Sequence, residues 1–212
     1  QYVLFDLDGT ITDSGEGIVN SVMYALNKYG IIVEDRNELK KFVGPPLGDS
    51  FQKFYGFSNE ETITAIKYYR EYYTEKGIFE NLLYDGIETL LKKIKDCGGS
   101  IILATSKPKV FAEKILEYFG IDKYFSYIVG SNLDGTMVKK DDILKFAIDS
   151  CGIKDLSKAI MIGDRKYDIL GAKKLCMKSI GVLYGYGSRE ELEEAGADFI
   201  ASDTDELWEV LG

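Results

Sequence analysis

Five short runs, Tyr2 to Phe5, Ser100 to Ala104, Tyr127 to Val129, Ala159 to Ile162 and Ser179 to Leu183, are almost continuously apolar, and they constrain this chain more than any other feature. A strand with one wet face alternates apolar and polar residues. A strand without that alternation is buried on both faces, which is the habit of parallel sheets covered by helices. Between these runs lie stretches of helical pattern: Ile87 to Cys97, Lys109 to Phe119, Asp142 to Cys151, Tyr167 to Leu175 and Glu190 to Ala195. Strand and helix in alternation predict an α/β fold, a doubly wound parallel sheet.

The alternation breaks once. Far more chain separates the first run from the second than a strand-helix crossover needs. The extra material is helical in pattern and flanked by polar or glycine-bearing hinges at Thr12 to Gly15 and Asn81 to Gly86. The expectation is a core domain of residues 1–15 and 82–212 and an inserted helical cap of residues 16–81. Within that cap, Tyr68, Tyr69, Tyr72 and Tyr73 fall at helical spacing, which a packed face explains better than a ligand-stacking surface. Gly44-Pro45-Pro46-Leu47 makes a rigid loop.

Composition narrows the chemistry. The chain has no histidine, so the commonest general base, histidine-activated nucleophiles and imidazole metal ligands are all excluded. Any catalysis must run on carboxylates, lysines and hydroxyls. With 26 basic and 35 acidic residues the net charge is −9, which disfavours nucleic acid polymers and anionic membrane surfaces as partners. A site for an anionic substrate must therefore supply its own positive charge. Cys97, Cys151 and Cys176 fit neither a disulfide framework nor zinc spacing, and the natural expectation is a reducing cytoplasm. No apolar run approaches membrane-spanning length, and the first residues read as a strand rather than an export leader.

Acids stand where strands end. Val3-Leu4-Phe5-Asp6-Leu7-Asp8-Gly9-Thr10 carries two carboxylates out of a buried strand, at the sheet edge where ligands bind in such folds. Period-two alternation starts Asp6 and Asp8 on the same side. An ordinary Asp-Gly turn accounts for Asp8 but not for Asp6, which is embedded in an apolar run. Met161-Ile162-Gly163-Asp164-Arg165-Lys166-Tyr167-Asp168 repeats the arrangement, and a helix starting near Asp164 would put both acids on one face. A helix cap and a first-turn acid explain that pattern equally well. Thr105 and Ser106 end a third strand before a helix, where hydroxyls and free amides suit phosphate oxygens or serve simply as a cap. Acids at neighbouring strand ends make an oxygen-only site, which selects magnesium over zinc or copper.

DLDGT near the N-terminus, a strand-end Thr, a downstream Lys and GDxxxD, in this order, resemble the haloacid dehalogenase-like hydrolase superfamily across nearly the whole chain. The long insertion after the first motif resembles that family's helical cap. The resemblance implies a Mg2+-dependent phosphatase acting on a small phosphorylated metabolite through an aspartyl-phosphate. In it Asp6 is the nucleophile, Asp8 the general acid/base, and Thr105 with Ser106 the phosphate-binding hydroxyls. The phosphate lysine maps best onto Lys140, with Lys139 adjacent. Asp6, the backbone carbonyl of Asp8 and Asp164 are the implied metal ligands, with Asp168 a further ligand or an outer partner. The GPPL loop and the tail YGYGSREELEEAGADFI lean toward phosphoglycolate phosphatases and 5′-nucleotidases, as a monomer or homodimer. A phosphosugar mutase of the same superfamily and a non-catalytic phospho-ligand sensor are the competing expectations.

Overall fold

The computed structural model describes residues 1–212, which divide into two compact units: Gln1–Thr12 with Leu83–Gly212, and Asp13–Leu82. Strand β1 (Tyr2–Phe5) opens the first unit. The two-residue strands β2 (Thr12–Asp13) and β3 (Leu82–Leu83) mark where the chain leaves it and returns. The second unit carries α1 (Gly15–Lys28), α2 (Leu47–Tyr55) and α3 (Asn59–Tyr73). Ser58 and Glu61 form a capping box at the start of α3, satisfying two of its free amides. The tyrosines of α3 serve packing. Tyr69 and Tyr73 are buried with ring centroids 5.3 Å apart, Tyr72 packs on Tyr24 and donates to Glu80, and Tyr68 meets Tyr29 edge-on.

The first unit continues through α4 (Ile87–Asp96), β4 (Ser100–Pro108), α5 (Lys109–Phe119), β5 (Phe125–Ser131), α6 (Lys140–Ser150), β6 (Ala159–Gly163), α7 (Lys166–Lys174), β7 (Lys178–Val182), α8 (Arg189–Ala195), β8 (Phe199–Ala201) and α9 (Thr204–Leu211). Six strands form one parallel sheet in the order β5-β4-β1-β6-β7-β8, with Phe5 of β1 beside Leu103 on one side and Ile162 on the other. From β1 the chain winds outward to β4 and β5, then crosses back to β6 and winds outward the other way. Right-handed crossovers place α4 and α5 on one face and α6, α7 and α8 on the opposite face. The second set packs as expected. Leu4, Ile102, Ala104 and Met161 form one buried cluster with Ile143, Leu144 and Ala147 of α6 and Ala172 of α7. The alternate residues Val3, Phe5, Ile101 and Leu103, equally buried, point to the other face. The winding reverses between β1 and β6, and the crevice beyond their C-terminal ends is where ligands bind in open α/β sheets.

The sheet has one strand and one helix more than the apolar runs suggested, since β8 and α9 follow the last of them. Strand β4 also runs past Ala104 to Pro108, with a register shift between those residues. Its last residues are held extended by side chains: the Ser106 hydroxyl donates to Val138 O, and Ser131 donates to Ser106 O. No helix is long and apolar enough to cross a membrane.

Candidate active site

Asp6 follows the last residue of β1, and its amide donates to Ile162 O of β6 at 2.9 Å. This carries the strand pairing one residue further, so the carboxyl group enters the crevice from the sheet's central strand. Lys140, the first residue of α6, reaches the same point from above the neighbouring strand. Its ammonium lies 2.8 Å from Asp6 Oδ1 and 2.8 Å from Asp168 Oδ1, and donates to Ala104 O at 2.9 Å. The lysine is held by one hydrogen bond to a backbone carbonyl and by ion pairs to two carboxylates. Lys139 is exposed, while Lys140 is buried.

Asp164 and Asp168 meet by a different route from a shared helix face. Asp164 precedes the start of α7, whereas Asp168 lies in its first turn, where its Oδ2 accepts from the Arg165 amide. Asp164 is completely buried. It takes hydrogen bonds from the Tyr186 amide at 2.8 Å and the Thr10 hydroxyl at 3.4 Å. Close packing requires glycine twice here. Gly9 has φ +81°, and a Cβ on it would overlap the Asp164 carboxylate; a Cβ on Gly163 would overlap that of Asp168. The Tyr184 hydroxyl donates to Thr10 O and steadies the loop after β1 from the strand end of β7.

One carboxylate oxygen from each of Asp6, Asp164 and Asp168 lies within 4.8 Å of the others, all three residues buried. Asp8 is not in this group; its Oδ1 pairs with Lys107 Nζ at 2.6 Å, and both side chains are nearly enclosed. The Thr105 hydroxyl is buried and accepts from the Lys107 amide, while that of Ser106 is turned to Val138 O. Sequence reasoning named each of these acids, but not Lys107, Thr10 or the Tyr186 amide. Lys107 stands two residues beyond Thr105, a signal that only the β1–β4 pairing turns into a contact with Asp8.

The electrostatics record a shortage of positive charge. Burial pushes the Asp164 carboxyl well above the usual carboxylate range, and the neighbouring Asp168 and Asp6 push it further. Burial likewise raises Asp168, to about 6, with Lys140 opposing the rise and Asp6 adding to it. Lys140 pays a burial penalty of its own, but the charges of Asp168 and Asp6 outweigh it and hold the ammonium above its ordinary range. Four carboxylates, Asp6, Asp8, Asp164 and Asp168, face two ammonium groups, Lys107 and Lys140. A divalent cation would supply the missing two charges. The Oδ1 atoms of Asp6 and Asp168, buried without a well-directed hydrogen bond, are suited to receive one. An all-oxygen donor set of this kind fits a hard cation.

A family model described as haloacid dehalogenase-like hydrolase matches residues 3–182. The chain belongs to that family. Among the relatives of this haloacid dehalogenase-like hydrolase, a 5′-nucleotidase of Pseudomonas aeruginosa is 42% identical over 99% of this chain and 94% of its own length. The tyrosine-protein kinase PtkA of Mycobacterium tuberculosis is 37% identical over 100% of this chain and 72% of its own. A phosphoglycolate phosphatase of Vibrio parahaemolyticus is 28% identical over 99% and 95%. The crystal structure of a predicted phosphatase from Clostridium acetobutylicum matches with a TM-score of 0.97 at 55% identity, covering 100% of this chain and 97% of that one.

Proposed function

We propose that this hydrolase is a Mg2+-dependent phosphatase that cleaves small phosphate monoesters through an aspartyl-phosphate on Asp6, with nucleoside 5′-monophosphates as the substrate class. The observation that carries this reading is the buried set at the strand ends, in which Lys140 joins Asp6 to Asp168 beside Asp164. The kinship over nearly the full length with a 5′-nucleotidase favours the nucleotide substrate.

In this mechanism an Asp6 carboxylate oxygen forms the bond to phosphorus as the ester P–O bond breaks, and Asp8 gives its proton to the departing oxygen. Water then attacks phosphorus, its proton passes to Asp8, and the P–O bond to Asp6 breaks. Lys140 orients Asp6 and offsets charge gathering on the phosphoryl oxygens. Thr105, whose hydroxyl accepts from the Lys107 amide, would donate its own proton to one of those oxygens. Asp6, Asp164 and the Asp8 carbonyl would hold Mg2+, with Asp168 as a further ligand or as the partner that fixes Lys140. When bound, the cation supplies charge neutralisation at the phosphate. The helical unit of residues 13–82 is the part we assign to substrate selection.

The test is release of inorganic phosphate from nucleoside monophosphates, phosphoglycolate and sugar phosphates, with Mg2+ or with EDTA. Turnover that EDTA abolishes, largest on the nucleotides, is the expected result. Preference for phosphoglycolate would remove the nucleotide assignment and keep the phosphatase. Binding of phosphate esters without turnover would instead favour a sensor.

The raised carboxyls also set a pH dependence for Mg2+ binding. An acid whose folded pKa is raised keeps its proton to higher pH, so a cation binding there must expel that proton and binds more weakly as pH falls through the folded pKa. Asp168, at about 6, therefore costs affinity below pH 6, and Asp164 adds to the loss. Calorimetric titration with Mg2+ at pH 7.5 and 5.5 should give an apparent Kd roughly fourfold weaker at the lower pH from Asp168 alone. Equal affinities would show that the cation expels no proton from Asp168 or Asp164.

A further inference from the structure

We propose that Lys107 is a positioning residue that fixes the Asp8 carboxyl for proton transfer to the leaving group, and is not a phosphate-binding lysine. The inference rests on the phosphatase reading above and deepens it. Its basis is geometric. Lys107 Nζ contacts Asp8 Oδ1 at 2.6 Å, the shortest ion pair in the molecule, with only 6% of the lysine side chain and 11% of the aspartate side chain exposed. The contact spans 99 residues of sequence and joins the loop after β1 to the end of β4. Both ends of the lysine are anchored, because its amide donates to the Thr105 hydroxyl while its ammonium holds Asp8. Residue 107 lies beyond the last β1–β4 pair, Phe5 with Leu103, in the stretch from Ala104 to Pro108 where the β4–β5 register shifts.

The consequence for Asp8 is specific. One oxygen, Oδ1, is committed to Lys107, which leaves Oδ2 as the other oxygen of the carboxyl. The carboxyl is thus held in one orientation, with Oδ2 as the atom that exchanges a proton with the ester oxygen. The lysine of the phosphate, by contrast, is already accounted for: Lys140 stands at Asp6, the atom donor to phosphorus, whereas Lys107 stands at the acid. The two cations divide the reaction between the nucleophile and the leaving group.

Leaving-group dependence separates positioning of an acid from every other role. An alkyl phosphate such as adenosine 5′-monophosphate expels a strongly basic alkoxide and needs the proton; p-nitrophenyl phosphate expels a stabilised phenolate and hardly does. The readout is the ratio of kcat/KM for the two esters, because kcat/KM covers the first phosphoryl transfer and the ratio cancels any loss of folded protein. In Lys107→Met the ratio of alkyl to aryl ester should fall about tenfold, with Lys107→Arg recovering most of it. In an Asp8→Asn background, Lys107→Met should produce no further fall. Equal losses on both esters would make Lys107 a phosphate ligand or a structural residue and overturn the inference, as would an independent fall in the Asp8→Asn background. Wild-type protein inactive on both esters would overturn the phosphatase reading and this inference with it. Wild-type activity lost in Asp6→Asn, with an unchanged ratio in Lys107→Met, would overturn the inference alone.

Discussion

Asp6→Asn is expected to reduce phosphate release by about 10⁴-fold or more while leaving the protein folded, because it removes the atom that would bond to phosphorus and little else. The substituted amide has nearly the volume of the carboxylate, so the packing at the end of β1 is kept. What changes is charge. Lys140 loses one of its two carboxylate partners but retains Asp168 at 2.8 Å and Ala104 O at 2.9 Å, so the ammonium stays paired and buried. One negative charge fewer also relieves Asp164 and Asp168, both of which the Asp6 charge pushes upward. The melting temperature in the absence of metal should therefore change by only a few degrees, in either direction. Phosphate release from the preferred ester and a thermal melt measure the two effects separately. Substantial turnover in a correctly folded Asp6→Asn protein would show that another group attacks phosphorus, or that water does so directly, and the covalent mechanism would have to be given up.

The sheet was legible in the sequence because its strands are buried on both faces and read as unbroken apolar runs, from Val3-Leu4-Phe5 to Ile160-Met161-Ile162. At the edges this signal fades. Strand β8 has three residues, Phe199 is exposed, and no run stands out from the surrounding chain. The acids were legible for a related reason, since a carboxylate at the end of an apolar strand has no packing role to explain it. Their partners were not. Lys107 meets Asp8 where β4 runs on past its last pairing with β1, and Tyr186 reaches Asp164 with its backbone amide, which no side-chain pattern reveals. Asp164 and Asp168 lie close together, but not on the shared helix face that a helix starting near Asp164 would give. The helix starts after Asp164, and the two carboxyls meet across the turn into α7.

Lys140→Met should be the most damaging single change to stability at this site, and the reason is the same shortage of positive charge that makes the site fit a cation. The ammonium is buried between Asp6 and Asp168, with Asp164 in the same group, so its removal leaves three enclosed acids without the cation that two of them pair with. Removing one partner from a buried ion pair costs about 3–5 kcal/mol, which for a chain of this size corresponds to a melting temperature lower by roughly 6–20 °C. Methionine fills much of the lysine's space beside Gly171, so the loss would report charge more than packing. Two comparisons sharpen this. Lys139→Met, at the exposed neighbouring position, should change stability by less than about 0.5 kcal/mol. Saturating Mg2+ should restore part of the lost stability in Lys140→Met, because a cation among the acids replaces some of the missing charge. It should not restore phosphate release, since the lysine's orientation of Asp6 is gone. If Mg2+ leaves the melting temperature of Lys140→Met unchanged, the three acids do not hold the ion. If Lys139→Met and Lys140→Met behave alike, the buried ion pairs contribute nothing, and the charge argument on which the site was assembled fails.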